Sequence, residues 1–278
     1  MECLKEAQIL TSNYPYYRYS LEYALRSLQK IGTRTIEFYA CYPHFHIDDV
    51  NGQDLKKLKR TLADHELQVR CFTPEQCQYP IDIAASDLAA RKRSMEVFQK
   101  SIQYAAELEA QYVVVLAGHG TLDESEENIW KRSVESVHTL GKLAEEYGIE
   151  IVLETSPREY TTTHSSKDVL RMIEEAGSSA VKGMIDTATL GYSGETIEEA
   201  IGDLRGHLAH VHVADGVPNG HLVLGEGNLD IRAMLKSLDK AGYQGALSLE
   251  ILNEQYAKNP HKAMKASYER LKEYLKNQ

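Results

Sequence analysis

Short apolar stretches alternate with longer amphipathic stretches along the whole chain. Eight of the apolar stretches are rich in β-branched and aromatic residues, a composition that favours strands. Strands are therefore expected at 7–13, 34–40, 67–74, 111–118, 150–155, 181–188, 208–215 and 245–252. Between them, apolar residues recur at i, i+3, i+4 and i+7, the spacing of one helix face. This spacing predicts helices at 20–32, 54–67, 91–110, 131–148, 165–177, 196–206, 230–242 and 261–277.

Eight strands that are each followed by a helix indicate an α/β fold, the (β/α)8 TIM barrel. Several predicted helices end at a glycine that closes the helix before the next strand, at Gly32, Gly148, Gly177 and Gly242. An open, doubly wound sheet uses the same local units, but the first strand-to-helix turn lacks a glycine-rich phosphate-binding motif. No linker or low-complexity tract divides the chain, so residues 1–278 are expected to form a single domain.

Polar residues stand at the ends of four consecutive predicted strands, in the segments VLET, GMIDT, HVHVAD and LSLEIL. They are Glu154, Asp186, His212 and Glu250. In a TIM barrel the carboxyl ends of the strands carry the active site. Neighbouring strands lie about 4.8 Å apart, so the four side chains can converge on one point.

Three carboxylates and one imidazole favour a hard divalent ion over soft, thiolate-preferring ions. One divalent metal is expected, Mn²⁺ first, with Co²⁺, Mg²⁺, Ni²⁺ or Zn²⁺ as alternatives. Without a cation the carboxylates would repel one another, and the pKa of at least one of them would rise. Any single acid could instead cap a helix or pair with a lysine or arginine, but four acidic or imidazole groups at equivalent positions favour a metal.

The segment AHVHVADG, residues 209–216, places two histidines on one face of a strand, because strand residues i and i+2 point to the same side. His210 lies earlier in the strand than His212 and is expected to be a hydrogen-bonded histidine behind the ligands. Asp215 either orients His212 or caps the following loop.

Other polar residues follow strands at the predicted barrel mouth and are expected to contact a substrate. They are Glu37, His44, Glu75 and His119. The 17 tyrosines could also form a wall for a sugar, as in NYPYYRYS at 13–20, but packing and surface positions are the favoured interpretation.

The charge balance narrows the possible partners. Lys and Arg total 31 and Asp and Glu total 41, and the net charge of −10 disfavours nucleic acid. No apolar run approaches the roughly 20 residues that span a membrane, and the stretch MECLKEAQIL lacks the features of a signal peptide. Cys3, Cys41, Cys71 and Cys77 show no paired spacing and are expected to be reduced thiols of a cytoplasmic protein.

The four strand-end residues resemble the metal site of the xylose isomerase-like barrel superfamily of sugar isomerases and epimerases, and the resemblance covers nearly the whole chain. Supporting segments are TRTIEFYACYPH (33–44), CFTPEQCQYP (71–80), VLETSPREY (152–160), GMIDTATLGY (183–192) and HVHVADGVPNGHLVLGEG (210–227). Within the superfamily, IEFYACYPH, FTPEQCQYP and GHLVLGEG are most similar to the fructoselysine 3-epimerases.

The resemblance implies that Glu154, Asp186, His212 and Glu250 bind the metal and that the two glutamates are the catalytic acid–base pair. It also implies substrate contacts from mouth loops, at Glu159, His221 and Glu226.

Two positions depart from the pattern of ketose 3-epimerases such as D-tagatose 3-epimerase. Those enzymes carry a histidine three residues after the metal aspartate and an arginine six residues after the metal histidine. Thr189 and Pro218 stand there in this chain. The departures disfavour free tagatose, fructose or psicose and leave a substituted sugar, such as a fructosamine, as the expected substrate.

The implied reaction removes the C3 proton of a 2-keto sugar, passes through a cis-enediolate stabilised by the metal, and returns a proton to the opposite face. A ketose or hydroxypyruvate-type 1,2-isomerase and an inosose-type dehydratase are alternatives on the same site. An endonuclease IV-like nuclease, which needs three zinc ions, and a non-catalytic sugar-binding protein are further alternatives. Members of the superfamily form dimers or tetramers, so a homo-oligomer is possible.

Overall fold

The computed structural model describes residues 4–77, 81–216 and 220–276. Eight parallel strands close into a barrel in chain order, each paired with the next and the last with the first. They are β1 (Ile9–Ser12), β2 (Thr35–Ala40), β3 (Gln68–Pro74), β4 (Tyr112–Val115), β5 (Glu150–Leu153), β6 (Val181–Asp186), β7 (Leu208–Val213) and β8 (Ala246–Leu249). This closed barrel confirms the predicted (β/α)8 fold.

Helices connect the strands and cover the outside of the barrel. They are α1 (Leu21–Ile31), α2 (Gly52–Asp64), α3 (Leu88–Glu107), α4 (Glu126–Tyr147), α5 (Ser166–Ala176), α6 (Leu190–Ser193), α7 (Ile197–Asp203), α8 (Ile231–Lys240) and α9 (Pro260–Lys276). Within the described ranges, none of these helices combines the length and the apolar content that crossing a membrane requires.

The predicted elements agree with the structure except at their ends and at α6. The single-turn α6 is too short for a helical period to show in the sequence. The strands are shorter than predicted: β4 ends at Val115 and β8 at Leu249, because the residues beyond leave the ladder and turn into the loops of the mouth. As a result Glu154 and Glu250 each lie one residue past a strand.

Glycines end three of the helices as predicted. Gly32, Gly148 and Gly177 cap α1, α4 and α5 with φ values of 92°, 67° and 60°, a left-handed conformation that costs glycine little. At the end of α8 the cap is Ala241, and Gly242 follows it with φ 73°. The predicted end of that helix was therefore off by one residue.

Side chains that point into the barrel form a packed interior. The apolar part of this interior is Leu10, Cys71, Tyr112, Val114, Val152, Met184 and Ala246. Glu37 and His210, which stand on β2 and β7, have no exposed area either. A larger apolar core lies between the barrel and the helices. The charged interior groups are thus enclosed by apolar side chains, and water has little access to them.

The loop after β7 is fixed by Asp215, which is buried. Its carboxylate accepts hydrogen bonds from the backbone N–H groups of Gly216 (2.9 Å), Gly225 (2.7 Å) and Leu229 (3.0 Å). Of the two roles expected for Asp215, the structure therefore shows the loop cap. Three cysteines, Cys41, Cys71 and Cys77, are free thiols, whereas Cys3 lies outside the described residues.

Two helical glycines should respond in opposite ways to an added methyl group. A Cβ on Gly141 in α4 would lie 2.7 Å from Ser178 Cβ and 2.8 Å from Val181 Cγ2, whereas a Cβ on Gly202 in α7 meets nothing within 4 Å. We expect Gly141→Ala to lower the free energy of unfolding by about 1–3 kcal/mol through overpacking. The control Gly202→Ala should raise it by about 0.4–1 kcal/mol. Urea denaturation measures both, and a change of the same sign in the two variants would contradict the packing.

Candidate metal centre

The ends of four consecutive strands bring Glu154, Asp186, His212 and Glu250 together. One ligand atom from each side chain lies within 4.8 Å of a ligand atom from every other. Asp186 and His212 are fully buried, Glu250 is 8% exposed and Glu154 is half-buried. Because the strands are parallel and adjacent, their carboxyl ends meet at one edge, and a site of nitrogen and carboxylate oxygen donors results.

Two atoms of this group have no hydrogen-bond partner in the described structure, although they are buried. His212 Nδ1 and Glu250 Oε2 lie 2.6 Å apart without the geometry of a hydrogen bond, and His212 Nδ1 lies 3.5 Å from Glu154 Oε1. Buried polar atoms are normally satisfied, so unsatisfied ones that face the same point indicate a missing partner. A divalent cation fits, because it binds imidazole nitrogen and carboxylate oxygen together.

A buried carboxylate beneath His212 fixes the imidazole. His212 Nε2 donates to Glu37, at 3.0 Å from Oε1 and 3.1 Å from Oε2, which leaves Nδ1 to face the other ligands. Histidines that bind metals commonly donate their second N–H to a carboxylate in this way. His210 Nε2 also donates to Glu37, at 2.9 Å. The hydrogen-bonded role expected for His210 is therefore the one observed.

Glu37, His210 and His212 form a second group whose ligand atoms lie close together. Here the nitrogen-to-oxygen distances of 2.9–3.1 Å are those of hydrogen bonds, and Tyr14 and Thr73 donate to Glu37 Oε1 at 3.0 and 2.6 Å. The carboxylate is already satisfied by four side chains. This group therefore serves as the support for His212 rather than as a second metal site.

The ionisation of the centre follows from burial and from its neighbours. Burial opposes a charge on His212, but the carboxylates of Glu37 and Glu250 outweigh it and hold the pKa of His212 well above its usual value. Burial also opposes a charge on Glu37, yet His212 and His210 lower the pKa of that carboxyl. Without metal, a proton on His212 thus supplies part of the positive charge that the carboxylates require.

The pKa values of the two candidate catalytic glutamates shift in opposite directions. Burial, with the charges of Glu250 and Asp186, raises the pKa of Glu154 to about 7, although His212 acts against this shift. For Glu250, burial is outweighed by His221 and His212, which lower its pKa. These directions describe the metal-free centre, because a bound cation lowers the pKa of each carboxyl that it contacts.

His221 comes into the centre from the loop after β7. Its Nε2 donates to Asp186 Oδ2 at 2.9 Å and lies 3.4 Å from Glu250 Oε2. Its backbone has φ 42°, in the left-handed region that a non-glycine residue adopts only where its surroundings hold it. The predicted substrate contact of His221 remains a prediction, but its imidazole does reach the metal-binding group.

The other residues expected at the mouth lie in different places. Glu75 accepts hydrogen bonds from Tyr39 Oη and from the backbone N–H of Cys77, and it lines a cavity together with Tyr39 and Leu252. His44 is buried, held by Asn13 Nδ2 at 2.8 Å and the carbonyl of Tyr19 at 3.1 Å.

The remaining three lie away from the four-residue group. His119 lines a separate cavity near the ends of β4 and β5, and its Nδ1 bonds to the Gly120 carbonyl at 2.7 Å. Glu159 is exposed in the loop after β5, and Glu226 is exposed and accepts from Tyr256 Oη at 2.5 Å. Within the described part of the chain, no hydrogen bond or ion pair joins these three residues or His44 to the four-residue group.

Tyr14 and Thr73 are the functional partners that sequence reasoning missed. Both lie at or just after the end of a strand on the mouth side, a position that could have drawn attention to them, but neither residue type is a common ligand of divalent ions. At one departure from the ketose 3-epimerase pattern, Thr189 is buried and faces the Asp186 and Thr155 carbonyls at 3.2 and 3.4 Å. The other, Pro218, lies outside the described residues, as does the end of CFTPEQCQYP at 78–80.

Comparison with known proteins gives a family match over most of the chain. The model of the xylose isomerase-like TIM barrel matches residues 25–274. Among curated relatives, the fructoselysine 3-epimerase of Shigella flexneri is 25% identical over 94% of this chain and 95% of its own length.

Solved structures show the same fold. L-ribulose 3-epimerase superposes with a TM-score of 0.81 at 23% identity, covering 96% of this chain and 94% of the other. The 3-keto-D-glucoside 4-epimerase of E. coli in its apo form superposes with a TM-score of 0.80 at 21% identity, covering 96% and 99%.

The Glu37 carboxylate should be needed for folding as well as for the orientation of His212. We expect Glu37→Gln to lower the free energy of unfolding by about 3–5 kcal/mol, because two buried histidines lose their charged partner. The control Glu22→Gln removes the partner of Arg26 on the surface. It should change the free energy of unfolding by less than about 0.5 kcal/mol. Chemical denaturation of the metal-free proteins measures both, and equal effects would show that the buried cluster is not stabilising.

Proposed function

The chain belongs to the xylose isomerase-like TIM barrel family, and we propose that it is a divalent-metal-dependent 3-epimerase of a ketose substituted as a fructosamine. The enzyme is an isomerase or epimerase, as its curated relatives are. The observation that carries the proposal is the convergence of two glutamates, from β5 and β8, on one aspartate and one histidine. The full-length similarity to a fructoselysine 3-epimerase supports the choice of substrate and of carbon.

Glu154, Asp186, His212 and Glu250 would hold the ion, and Mn²⁺ is the one we propose. Once bound, a divalent ion acts as a Lewis acid toward a sugar carbonyl and neutralises carboxylates. The chain itself prepares the ligands: Glu37 holds the His212 ring, and the Ala188 N–H bonds Asp186 Oδ1 at 2.8 Å. Such supporting contacts reduce the rearrangement that binding requires.

Glu250 and Glu154 would exchange a proton with C3 from opposite faces of the sugar. The Glu250 carboxylate would accept the C3 proton, and the C–H electron pair would form the double bond of a cis-enediolate. Protonated Glu154 would deliver its proton to C3 on the other face. The reverse reaction exchanges the two roles, as an epimerisation requires.

Other parts of the centre would orient the sugar. The His221 imidazole lies beside Asp186 and Glu250, where it would contact a sugar oxygen. Thr189 is engaged with backbone carbonyls and has little left to offer a free ketohexose. A substituent on the sugar would supply the missing binding energy.

Glu154→Gln and Glu250→Gln should each fold but lose turnover by about 10²–10⁴-fold, because each removes one proton-transfer group. The readout is proton NMR in D₂O with Mn²⁺, with fructoselysine and a panel of free ketoses as substrates. Wild-type enzyme should introduce solvent deuterium at C3. The control Glu150→Gln changes the first residue of β5, at the opposite end of the strand from Glu154, and should keep full turnover.

Two outcomes would contradict the assignment. Undiminished exchange in both glutamine variants would reject the two-base mechanism. Deuterium at C1, or loss of water from the sugar, would show instead a 1,2-isomerase or a dehydratase, which share the enolisation step.

Metal content tests the ligand set. We expect one Mn²⁺ per chain and a melting temperature that rises with Mn²⁺, since about 100-fold excess over Kd stabilises by about 2.7 kcal/mol. Asp186→Asn and His212→Ala should abolish both effects, whereas the exposed Asp64→Asn should not. Full metal retention in the first two variants would reject these ligands, and three ions per chain would favour a nuclease.

A further inference from the structure

A cavity of about 740 Å³ lies among residues at or after the carboxyl ends of β1, β2, β3 and β8, and we call it the side cavity. Ligand sites typically measure about 300–1,000 Å³, so it is large enough for part of a substrate. Three tyrosines, Tyr17, Tyr39 and Tyr42, line it together with Leu252. These side chains offer flat apolar surface with hydroxyl groups at the edges, which suits an alkyl chain that ends in polar groups.

Two chain segments join the side cavity to the metal-binding group. The Tyr39 ring stacks on Tyr14 with centroids 4.5 Å apart, and Tyr14 donates to Glu37 beneath His212. On the other side, Leu252 lies two residues after Glu250, and its N–H donates to the His221 carbonyl at 3.2 Å. The cavity wall is therefore linked through Tyr39 and Leu252 to residues that support or enter the metal-binding group.

The charges around the side cavity are mixed. Arg18, Glu75 and Glu254 line it. Arg18 and Glu254 are exposed, and neither forms a salt bridge in the described ranges of the chain. Arg18 stacks over the Tyr17 ring at 5.2 Å. One guanidinium and two carboxylates match an ammonium and a carboxylate on the same ligand, whereas the two carboxylates repel a phosphate group.

We propose that the side cavity binds the amino-acid end of the fructosamine and selects it over free and phosphorylated ketoses. Glu254, with Glu75, pairs with the α-ammonium group, and Arg18 binds the α-carboxylate. The alkyl chain packs on the tyrosines and Leu252. This inference rests on the proposed function and narrows its substrate class to ketoses N-linked to a zwitterionic amino acid.

Steady-state kinetics with three sugars test the side cavity. The substrates are fructoselysine, the fructosamine of butylamine, which has an alkyl chain but no zwitterion, and fructose 6-phosphate. We expect wild-type kcat/KM to be about tenfold or more higher for fructoselysine than for either of the others, through KM. Arg18→Gln and Glu254→Gln should each raise KM for fructoselysine about tenfold, with kcat within twofold of wild type.

The matched control is Glu273→Gln on α9, which removes the surface partner of Arg232 away from the cavity and should leave both constants unchanged. Unchanged KM in Arg18→Gln and Glu254→Gln, or a preference for fructose 6-phosphate, would overturn the subsite while C3 exchange still supported the epimerase.

If wild-type enzyme exchanges no proton at C3 of any sugar, the proposed function fails. Titration calorimetry with fructoselysine then tests whether the side cavity binds the amino-acid end. Affinity about tenfold weaker in the two variants would support the subsite, and equal affinity would reject it.

Discussion

The centre depends on the balance of charge inside a closed barrel. Glu37, Glu154, Asp186 and Glu250 place four carboxyl groups in or at the edge of an interior where apolar side chains exclude water. Charge that is buried without a partner is costly, so each carboxylate requires a compensating group. His210 and His212 compensate Glu37. The carboxylates of Glu154, Asp186 and Glu250 face one another, so protons or a cation must neutralise their charge. Metal binding is therefore linked to the ionisation of His212.

The barrel supplies this arrangement through its topology. Parallel strands all end on one side, so β5 to β8 place their side chains at one edge without any long excursion of the chain. The ladder is irregular at two places, between Ile36 and Glu37 and between Gly183 and Met184. Irregularities of this kind redirect side chains, and here they immediately precede Glu37 and stand two residues before Asp186.

The sequence was sufficient to predict the barrel and the four residues at the strand ends, because hydrophobic periodicity and the position of a strand end are local features. The sequence was insufficient to predict the residues that hold these four side chains in place. Glu37 lies 175 positions from His212, and whether it faces the mouth or lies beneath the ring depends on the stagger between strands. Tyr14 and Thr73 bond Glu37 for the same nonlocal reason. The left-handed backbone of His221 depends on the loop that Asp215 caps.

The chemistry of the centre is general, whereas its selectivity must come from the surrounding loops. Solved structures of a 3-epimerase and of a 4-epimerase superpose on this barrel, so the fold fixes neither the carbon nor the sugar. In this chain His221 lies 3.4 Å from Glu250, and Leu252, two residues after Glu250, lines the side cavity. A substrate anchored in that cavity would present to Glu250 only the carbon that the length of its substituent allows. The anchor would therefore determine the position of proton transfer as well as the choice of sugar.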